Sequence, residues 1–468
     1  MSEHFKQIGS VSAAVLALTL TACGSMAPDY QRPAAPVAST FPGAASSAAT
    51  ATSAAAIEWR QFFTDARLQQ LITLALANNR DLRLAVLNIE QARAQYDIRR
   101  ADQWPAVNAG LSGTRVPTSA GGISSTYTAG VLVTAYELDL FGRVRSLSDA
   151  ALAQYLASEE ARKTVQISLV AAVANGYLAL QGDEELLRVT RQALDTREAS
   201  YRLIRLRFDK GASSQIDLRQ AESLLESARV ALAVATRQRS LDENALVLLI
   251  GQGLPQNLPQ ALATSAAASL PDVPVGLPSE VLMRRPDVRQ AEQQLIAANA
   301  SIGAARAAFF PRISLTGSVG SVSSELSGLF GNGMAWSFAP QLLQPIFDAG
   351  RNDANLRLSE VNRDIAVAQY ERTIQSAFRE VADALAGRAT LGEQLRAAQA
   401  LVRVEQDRYR LADLRYRNGA SSYLDVLDSQ RSLFAAQLSE LQTQIQYGQN
   451  LVTLYRALGG GWSAAAGR

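Results

Sequence analysis

The residue types that carry out most enzyme chemistry are nearly missing from this chain of 468 residues. Its only histidine is His4 and its only cysteine is Cys23, both close to the N-terminus. If the chain is processed just before Cys23, the mature protein has no histidine and no free thiol. Serine–histidine and cysteine–histidine catalysis, histidine- or cysteine-ligated metals and intrachain disulfides are then excluded. Carboxylate chemistry and oxygen-liganded metals remain.

Composition and motifs also argue against an enzyme or a nucleic-acid-binding protein. The chain is 48% hydrophobic, enough for a large core, and its formal net charge is only +2. Such a charge gives no electrostatic attraction for nucleic acid. The sequence contains no Walker A loop, no G-x-S-x-G and no S-x-x-K motif, and adjacent acids such as Glu184 and Glu185 lie in a heptad pattern typical of a solvated helix face. We therefore predict no enzymatic activity and no cofactor.

The N-terminus is typical of an export signal. An apolar run over residues 8–20 is too short to span a bilayer but suits a signal-peptide core. It ends in LTAC at Cys23, which resembles a bacterial lipoprotein processing site, although an ordinary signal peptide could also contain a cysteine. Gly24 follows in place of an inner-membrane retention aspartate, which favours the outer membrane. We predict a signal peptide over 1–22 and a lipidated, irregular tether over 23–56.

The remainder of the chain is a tandem duplication. Residues 201–217 match residues 409–425 at ten of seventeen positions, with an offset of 208. Other pairs follow nearly the same offset, so the repeat extends over the whole mature chain. We predict a first repeat at 57–251, an equatorial linker at 252–279, a second repeat at 280–459 and a tail at 460–468.

Both halves show the same order of elements. A helical stretch ends at an aromatic–proline pair, two alternating segments of strand length follow, and a very long helical pattern then turns at Gly-Ala-Ser-Ser into a returning helix. The opening helices are predicted at 66–103 and 286–309, the strands at 107–115, 125–138, 313–320 and 335–346, and the long helices at 143–210 and 351–418. The returning helices are expected to end near 249 and 458.

Four strands per chain pose a problem if they enter a membrane. An open sheet edge in lipid leaves backbone groups without partners, at several kcal/mol each, so four strands cannot close a barrel alone. Two chains would give eight strands and three would give twelve, and only the larger barrel leaves a wide lumen. The alternative is a small soluble sheet.

The ordered motifs resemble one family. The duplicated halves, the FGR and FDAGR segments, LDVLDSQRSL, WRQFFTDARLQQLITLALANNRDLR and RRPDVRQAE are similar to the TolC-type outer-membrane efflux channels. More closely, they resemble the lipoprotein branch that serves resistance-nodulation-division multidrug pumps. The resemblance covers essentially all of residues 57–459.

The resemblance implies an architecture and partners. The fold class would be mainly α with membrane β: a long coiled-coil α-barrel continuous with a twelve-strand β-barrel, to which each chain of a homotrimer gives four strands. It implies docking to a periplasmic adaptor (membrane fusion) protein and to an inner-membrane resistance-nodulation-division transporter. The chain would sit in outer-membrane lipid and export drugs and small toxic compounds passively.

The resemblance also implies a gate at the periplasmic helical tip. The matching positions are Tyr416, Asp425 and Asp428, with Asp217 opposite in the first half. In three chains, Asp425 and Asp428 would place six carboxylates around the axis, and such rings select cations. The family's tip arginine falls on Ser421, so its ion lock is not expected here unless Arg415 or Arg417 substitutes for it from another direction.

Each gate residue also has a structural interpretation. Asp217 and Asp425 both end an S-x-x-D pattern at a helix start, which is a capping signature that needs no channel. Asp428 differs, because its repeat partner is Gln220 and duplication does not explain its charge. We interpret Asp428 as a lumen carboxylate, with an ordinary solvated helix face as the alternative.

The two helical turns resemble the family's adaptor-docking surface. Small side chains let another helical hairpin approach closely, although a tight turn between helices also favours glycine and serine. The predicted docking residues are Gly211, Ala212, Ser213, Ser214, Gly419, Ala420, Ser421, Ser422, Arg207 and Arg415.

Two other functions remain open at this stage. A conduit for a type I protein secretion system would have the same helical tip, and the lipid anchor is the feature that favours drug efflux. A lipidated periplasmic coiled-coil adaptor or scaffold would also be helical, but it would not need four amphipathic strands at duplicated positions.

Overall fold

The computed structural model describes residues 25–42, 57–119, 121–260, 270–271, 278–331 and 334–462. Cys23 lies outside these residues, so its acylation stays a prediction. The helices are α1 (Trp59–Phe62), α2 (Ala66–Asn78), α3 (Arg80–Ala101), α4 (Arg143–Asp209), α5 (Gln215–Ile250), α6 (Pro278–Arg284), α7 (Pro286–Ala307), α8 (Arg351–Arg417) and α9 (Tyr423–Ala457). The strands are β1 (Val107–Pro117), β2 (Ile123–Leu138), β3 (Arg312–Ser323) and β4 (Met334–Leu343).

The predicted order of elements is observed, with one helix divided. The opening stretch of the first half breaks at Asn79, whose backbone is extended. The Asn79 side chain accepts a hydrogen bond from the Leu82 amide at 2.9 Å and donates one to the Leu249 carbonyl at 2.9 Å. A single asparagine thus caps α3 and anchors it to the end of α5, which explains why a continuous helix does not form.

The chain divides into two compact units. The described residues of the first unit are 25–34, 87–119, 121–160, 289–331 and 334–372. Those of the second are 35–42, 57–86, 161–260, 270–271, 278–288 and 373–462.

An aromatic core fills the middle of the second unit. The rings of Phe62 and Tyr455 stack at 4.0 Å between centroids, and the Tyr455 hydroxyl donates to the Ile57 carbonyl at 2.6 Å. The buried Tyr177 hydroxyl donates to Asp65, which also caps α2.

Among the described residues, α4 alone contains an 18-residue stretch apolar enough to cross a membrane, and 67% of that stretch is buried, as in a core helix.

The first unit contains a four-stranded antiparallel sheet in the order β1-β2-β3-β4. Gly130 and Gly320 face each other where β2 and β3 pair, and a Cβ on Gly320 would come within 2.1 Å of the Ala129 carbonyl oxygen. A bulge between Val133 and Tyr136 follows, at which Ala135 adopts a positive φ of 52°. Bulges of this kind bend and twist strands, as curved sheets require.

The sheet leaves large apolar side chains in contact with solvent. All of β1 is exposed, and Leu111 in β1 and Trp336 in β4 are 67% and 74% accessible. Among the described residues, β1 and β4 each pair on one side only. Long apolar edges of this kind promote aggregation in water unless something covers them.

Residues 25–42 contain no helix or strand, and residues 28–32 are held by hydrogen bonds. Within the first unit, the Asn299 side chain of α7 donates to the Pro28 carbonyl at 2.7 Å. Glu292 accepts from Tyr30 at 3.1 Å and pairs with Arg32 at 2.6 Å. This part of the predicted tether is therefore fixed along α7.

Candidate gate and docking surface at the helical turns

The two Gly-Ala-Ser-Ser turns have the same backbone. Gly211 and Gly419 end the long helices with φ of 75° and 72°, which a residue with a side chain rarely adopts. The next residue's amide then bonds back to a helix carbonyl, Ala212 to Arg207 at 2.7 Å and Ala420 to Arg415 at 2.8 Å. The small residues of both turns are exposed or half-buried, as a docking surface requires.

In the first turn, Asp217 forms a complete capping box. The Asp217 amide donates to the Ser214 hydroxyl oxygen at 3.1 Å, and the Ser214 amide donates to the Asp217 carboxylate at 3.1 Å. The Ser213 and Ser214 hydroxyls also donate to this carboxylate. The hydrogen bond from the Ser214 hydroxyl, chiefly, lowers the pKa of Asp217. The capping interpretation of Asp217 is therefore observed.

The second turn lacks this cap. Ser422 occupies the N-cap position of α9, but its side chain makes no capping hydrogen bond. Asp425 is exposed and lines an open cavity of about 490 Å³ together with Arg408 and Arg415. The symmetric capping pattern in the sequence thus corresponds to two different structures, and Asp425 keeps its carboxylate available.

Asp428 lies between two arginines. The Arg408 guanidinium of α8 donates to one Asp428 oxygen, and the Arg431 guanidinium lies 3.7 Å from the other. Glu405 also pairs with Arg408 at 3.2 Å. The Asp428 side chain remains 50% exposed. We call Arg408, Asp428 and Arg431 the arginine–aspartate cluster.

Sequence reasoning missed both arginines of this cluster. It searched beside the turn, at Arg415 and Arg417, whereas Arg408 lies ten residues before Asn418 and Asp428 ten residues after it. In an antiparallel helical hairpin, residues equally distant from the turn lie opposite each other. Counting outward from the turn would have found this pair.

The structure brings a predicted docking residue against a predicted gate residue. Arg207 of α4 donates a hydrogen bond of 2.5 Å to the Tyr416 hydroxyl, and its guanidinium lies 4.8 Å from the centre of the Tyr416 ring. Tyr416 in turn packs against Tyr423 at 5.3 Å between ring centres. Burial raises the pKa of Tyr423 to about 12. These contacts join the helical hairpins of the two halves.

An apolar cluster lies beneath these contacts, and an open groove lies beside them. The cluster consists of Ile204, Ala221, Tyr423, Val426 and Leu427. The groove has a volume of about 520 Å³, and its lining includes Ile216 and Leu424, which are 69% and 52% exposed. Exposed apolar residues at the ends of two helices extend the predicted docking surface, and sequence analysis missed them.

Comparison with known proteins agrees with this architecture. A model described as outer membrane efflux protein matches residues 71–252 and 277–460. The toluene efflux pump outer membrane protein TtgC of Pseudomonas putida is 50% identical, with 98% of this chain and 96% of that protein aligned. The outer membrane protein OprJ of Pseudomonas aeruginosa is 49% identical, with 97% and 96% aligned.

Solved structures give the same result. A membrane protein from Pseudomonas aeruginosa is 47% identical with a TM-score of 0.87, covering 94% of this chain and 98% of that chain. The open state of the MtrE outer membrane channel from Neisseria gonorrhoeae is 42% identical with a TM-score of 0.86, covering 94% and 99%. The predicted fold class and the resemblance drawn from sequence motifs are therefore confirmed. This chain belongs to the outer membrane efflux protein family and is an outer-membrane channel of an efflux system.

Proposed function

We propose that three copies of this chain form one passive export duct through the outer membrane. The observation that carries the proposal is the four-stranded sheet, whose outer strands β1 and β4 each pair on one side only and expose apolar side chains. Pairing β1 of one copy with β4 of the next removes every open edge, and three copies give a twelve-strand barrel. Acylation of Cys23 would anchor each chain in the lipid.

The duct is gated at its helical tip by side chains of the second half. Arg408 and Arg431 hold Asp428 in ion pairs that are half exposed. Such pairs contribute only about 0–1 kcal/mol each, so a docking protein can exchange them for its own contacts at small cost. Asp425, which has no capping role, adds a second carboxylate for a cation-preferring entrance.

The partners are a periplasmic adaptor protein and an inner-membrane resistance-nodulation-division transporter. Support for the adaptor comes from the exposed turns and the apolar groove at Ile216 and Leu424. The cargo is a class of drugs and small toxic compounds, in line with the toluene and antibiotic efflux pumps that relatives are named for. Energy comes from the transporter, and the duct itself performs no chemistry.

Cysteine cross-linking of the sheet edges tests the shared barrel. Ser112 in β1 and Ser337 in β4 lie on outer strands that do not pair with each other within one chain. A scan of cysteine pairs around these positions should give dimer and trimer bands on oxidation of membranes, whereas single-cysteine variants should give no trimer. Monomer bands alone from every pair, with a monomeric mass in detergent, would refute the proposal.

A further inference from the structure

A buried arginine in the second unit has no acidic partner among the residues that the structure describes. Arg197 of α4 is 6% exposed. One guanidinium nitrogen donates to the Leu224 carbonyl of α5 at 3.2 Å, and the guanidinium lies 5.1 Å from the ring centre of Phe434 in α9. These contacts place a full positive charge between three helices from both halves of the chain.

The charge of Arg197 is uncompensated among the described residues. No carboxylate there forms an ion pair with it, and the adjacent Glu198 instead lies 3.7 Å from Arg229. Burial, together with repulsion from Arg431, lowers the pKa of Arg197. A carbonyl and an aromatic face offset only part of the cost of burying an ion. A negative charge supplied from outside the chain would therefore stabilise Arg197 in this position.

A small, partly open cavity of about 90 Å³ with polar and apolar lining residues lies beside Arg197. Its lining includes the side chains of Gln192 and Gln437, whose amide groups can donate hydrogen bonds. Gln430 also lines it, and its side-chain oxygen is buried without a hydrogen-bond partner. Since a cavity of this size exceeds what one water needs, it can hold a small ion and an accompanying water.

We propose that this cavity binds a small monovalent anion of the chloride class. The anion accepts hydrogen bonds from Arg197 and neutralises it, and the accompanying water donates to the Gln430 oxygen. A cation is excluded by the charge of Arg197, and the small volume favours a small ion over a lipid headgroup or a peptide. The bound anion would stabilise the packing of α4, α5 and α9 close to the helical tip. The proposal is independent of the gate assignment.

Bromide replaces chloride in such sites and can be located by its anomalous scattering. Crystals of the intact protein grown in bromide should show an anomalous peak in the cavity, within hydrogen-bond distance of the Arg197 guanidinium. In solution, binding to the purified protein should broaden the ³⁵Cl NMR line of chloride. At ten times the dissociation constant, chloride relative to gluconate should raise the ratio of folded to unfolded protein about elevenfold.

Two variants separate this site from general anion effects. Arg197→Met should abolish the chloride effects, while Arg191→Met, which changes an exposed arginine on the same helix, should retain them. Water alone in the cavity at saturating bromide, or a carboxylate of a neighbouring subunit in contact with Arg197, would overturn the proposal. The crystallographic result on the unaltered protein decides the question even if Arg197→Met does not fold.

Discussion

The turn between α4 and α5 and the turn between α8 and α9 share the sequence Gly-Ala-Ser-Ser, but the charges around them differ. In the first half Asp217 is used as a helix cap, while in the second half Asp425 makes no capping bond. The arginine–aspartate cluster of the second half corresponds, at the repeat offset of 208, to Ser200, Gln220 and Ser223. The two halves therefore share the backbone of the turn, but only the second half contains the arginine–aspartate cluster.

A second difference lies further from the turns. In the first half, Asp183 of α4 is buried, and burial, together with the neighbouring Asp242 carboxylate of α5, raises the pKa of Asp183 to about 7. The repeat-equivalent residues in the second half are Leu391 and Asn450, which do not titrate. The first hairpin thus contains a proton-dependent contact that the second lacks.

The largest expected effect is the pH dependence of this carboxyl pair. Because the folded-state pKa of Asp183 is raised, the native protein binds an extra proton between about pH 4 and pH 7. Stability from this group therefore falls as the pH rises through that window, by on the order of 4 kcal/mol. Asp183→Asn should remove this part of the pH profile of thermal unfolding. An unchanged profile would show that Asp183 does not take up this extra proton. The Asn450→Ala variant, which alters the equivalent site of the second half, should leave the profile unchanged.

The next largest effect is expected when the arginine–aspartate cluster is broken. Asp428→Asn removes the ion pairs to Arg408 and Arg431, and one exposed pair contributes up to about 1 kcal/mol. The ratio of open to closed channels in planar bilayers should rise by up to about fivefold for each pair lost. Gln220→Asn changes the repeat-equivalent position without removing a charge and should not alter conductance. If the unaltered protein and both variants have the same conductance, Asp428 is not a gate residue.

Helix capping gives a smaller and more local difference. Ser214→Ala breaks the capping box with Asp217 and should destabilise the start of α5 by about 1 kcal/mol. Ser422→Ala removes a side chain that makes no capping hydrogen bond. We therefore expect it to destabilise the start of α9 by only about a few tenths of a kcal/mol. Hydrogen exchange of the first turn of each helix measures both. Similar acceleration in the two variants would contradict the asymmetry.

The smallest effect is expected at Arg207 and Arg415, which occupy equivalent positions in the two repeats. Arg207→Met removes the hydrogen bond and the ring contact to Tyr416, and the ring contact alone contributes about 0.5 kcal/mol near the surface. Arg415→Met loses only a long contact of 3.4 Å to the Ala420 carbonyl. Proteolysis at the turns should increase in the first variant and stay unchanged in the second. The reverse order would show that Arg207 does not connect the hairpins.

Much of the fold could be read from local patterns. The aromatic–proline pairs, the alternating strand segments and the Gly-Ala-Ser-Ser turns are each set by a few neighbouring residues, so the element order was predicted correctly. The break at Asn79 was missed, because the hydrogen bond that fixes it goes to Leu249, far along the chain. The capping role of Asp217 was recognised as a possibility, whereas the loss of the same role at Asp425 was invisible in an identical motif.

The sequence by itself determined the duplicated architecture and the family, since both depend on residue order and on hydrophobic periods along the chain. Only the tertiary structure decided which charges meet. Arg408 meets Asp428 across a hairpin, Arg207 meets Tyr416 between halves, and Arg197 meets no acid within the described part of the chain. Such contacts depend on helix rotation and register, and a change of one residue in register turns a side chain by about 100° to another face of the helix.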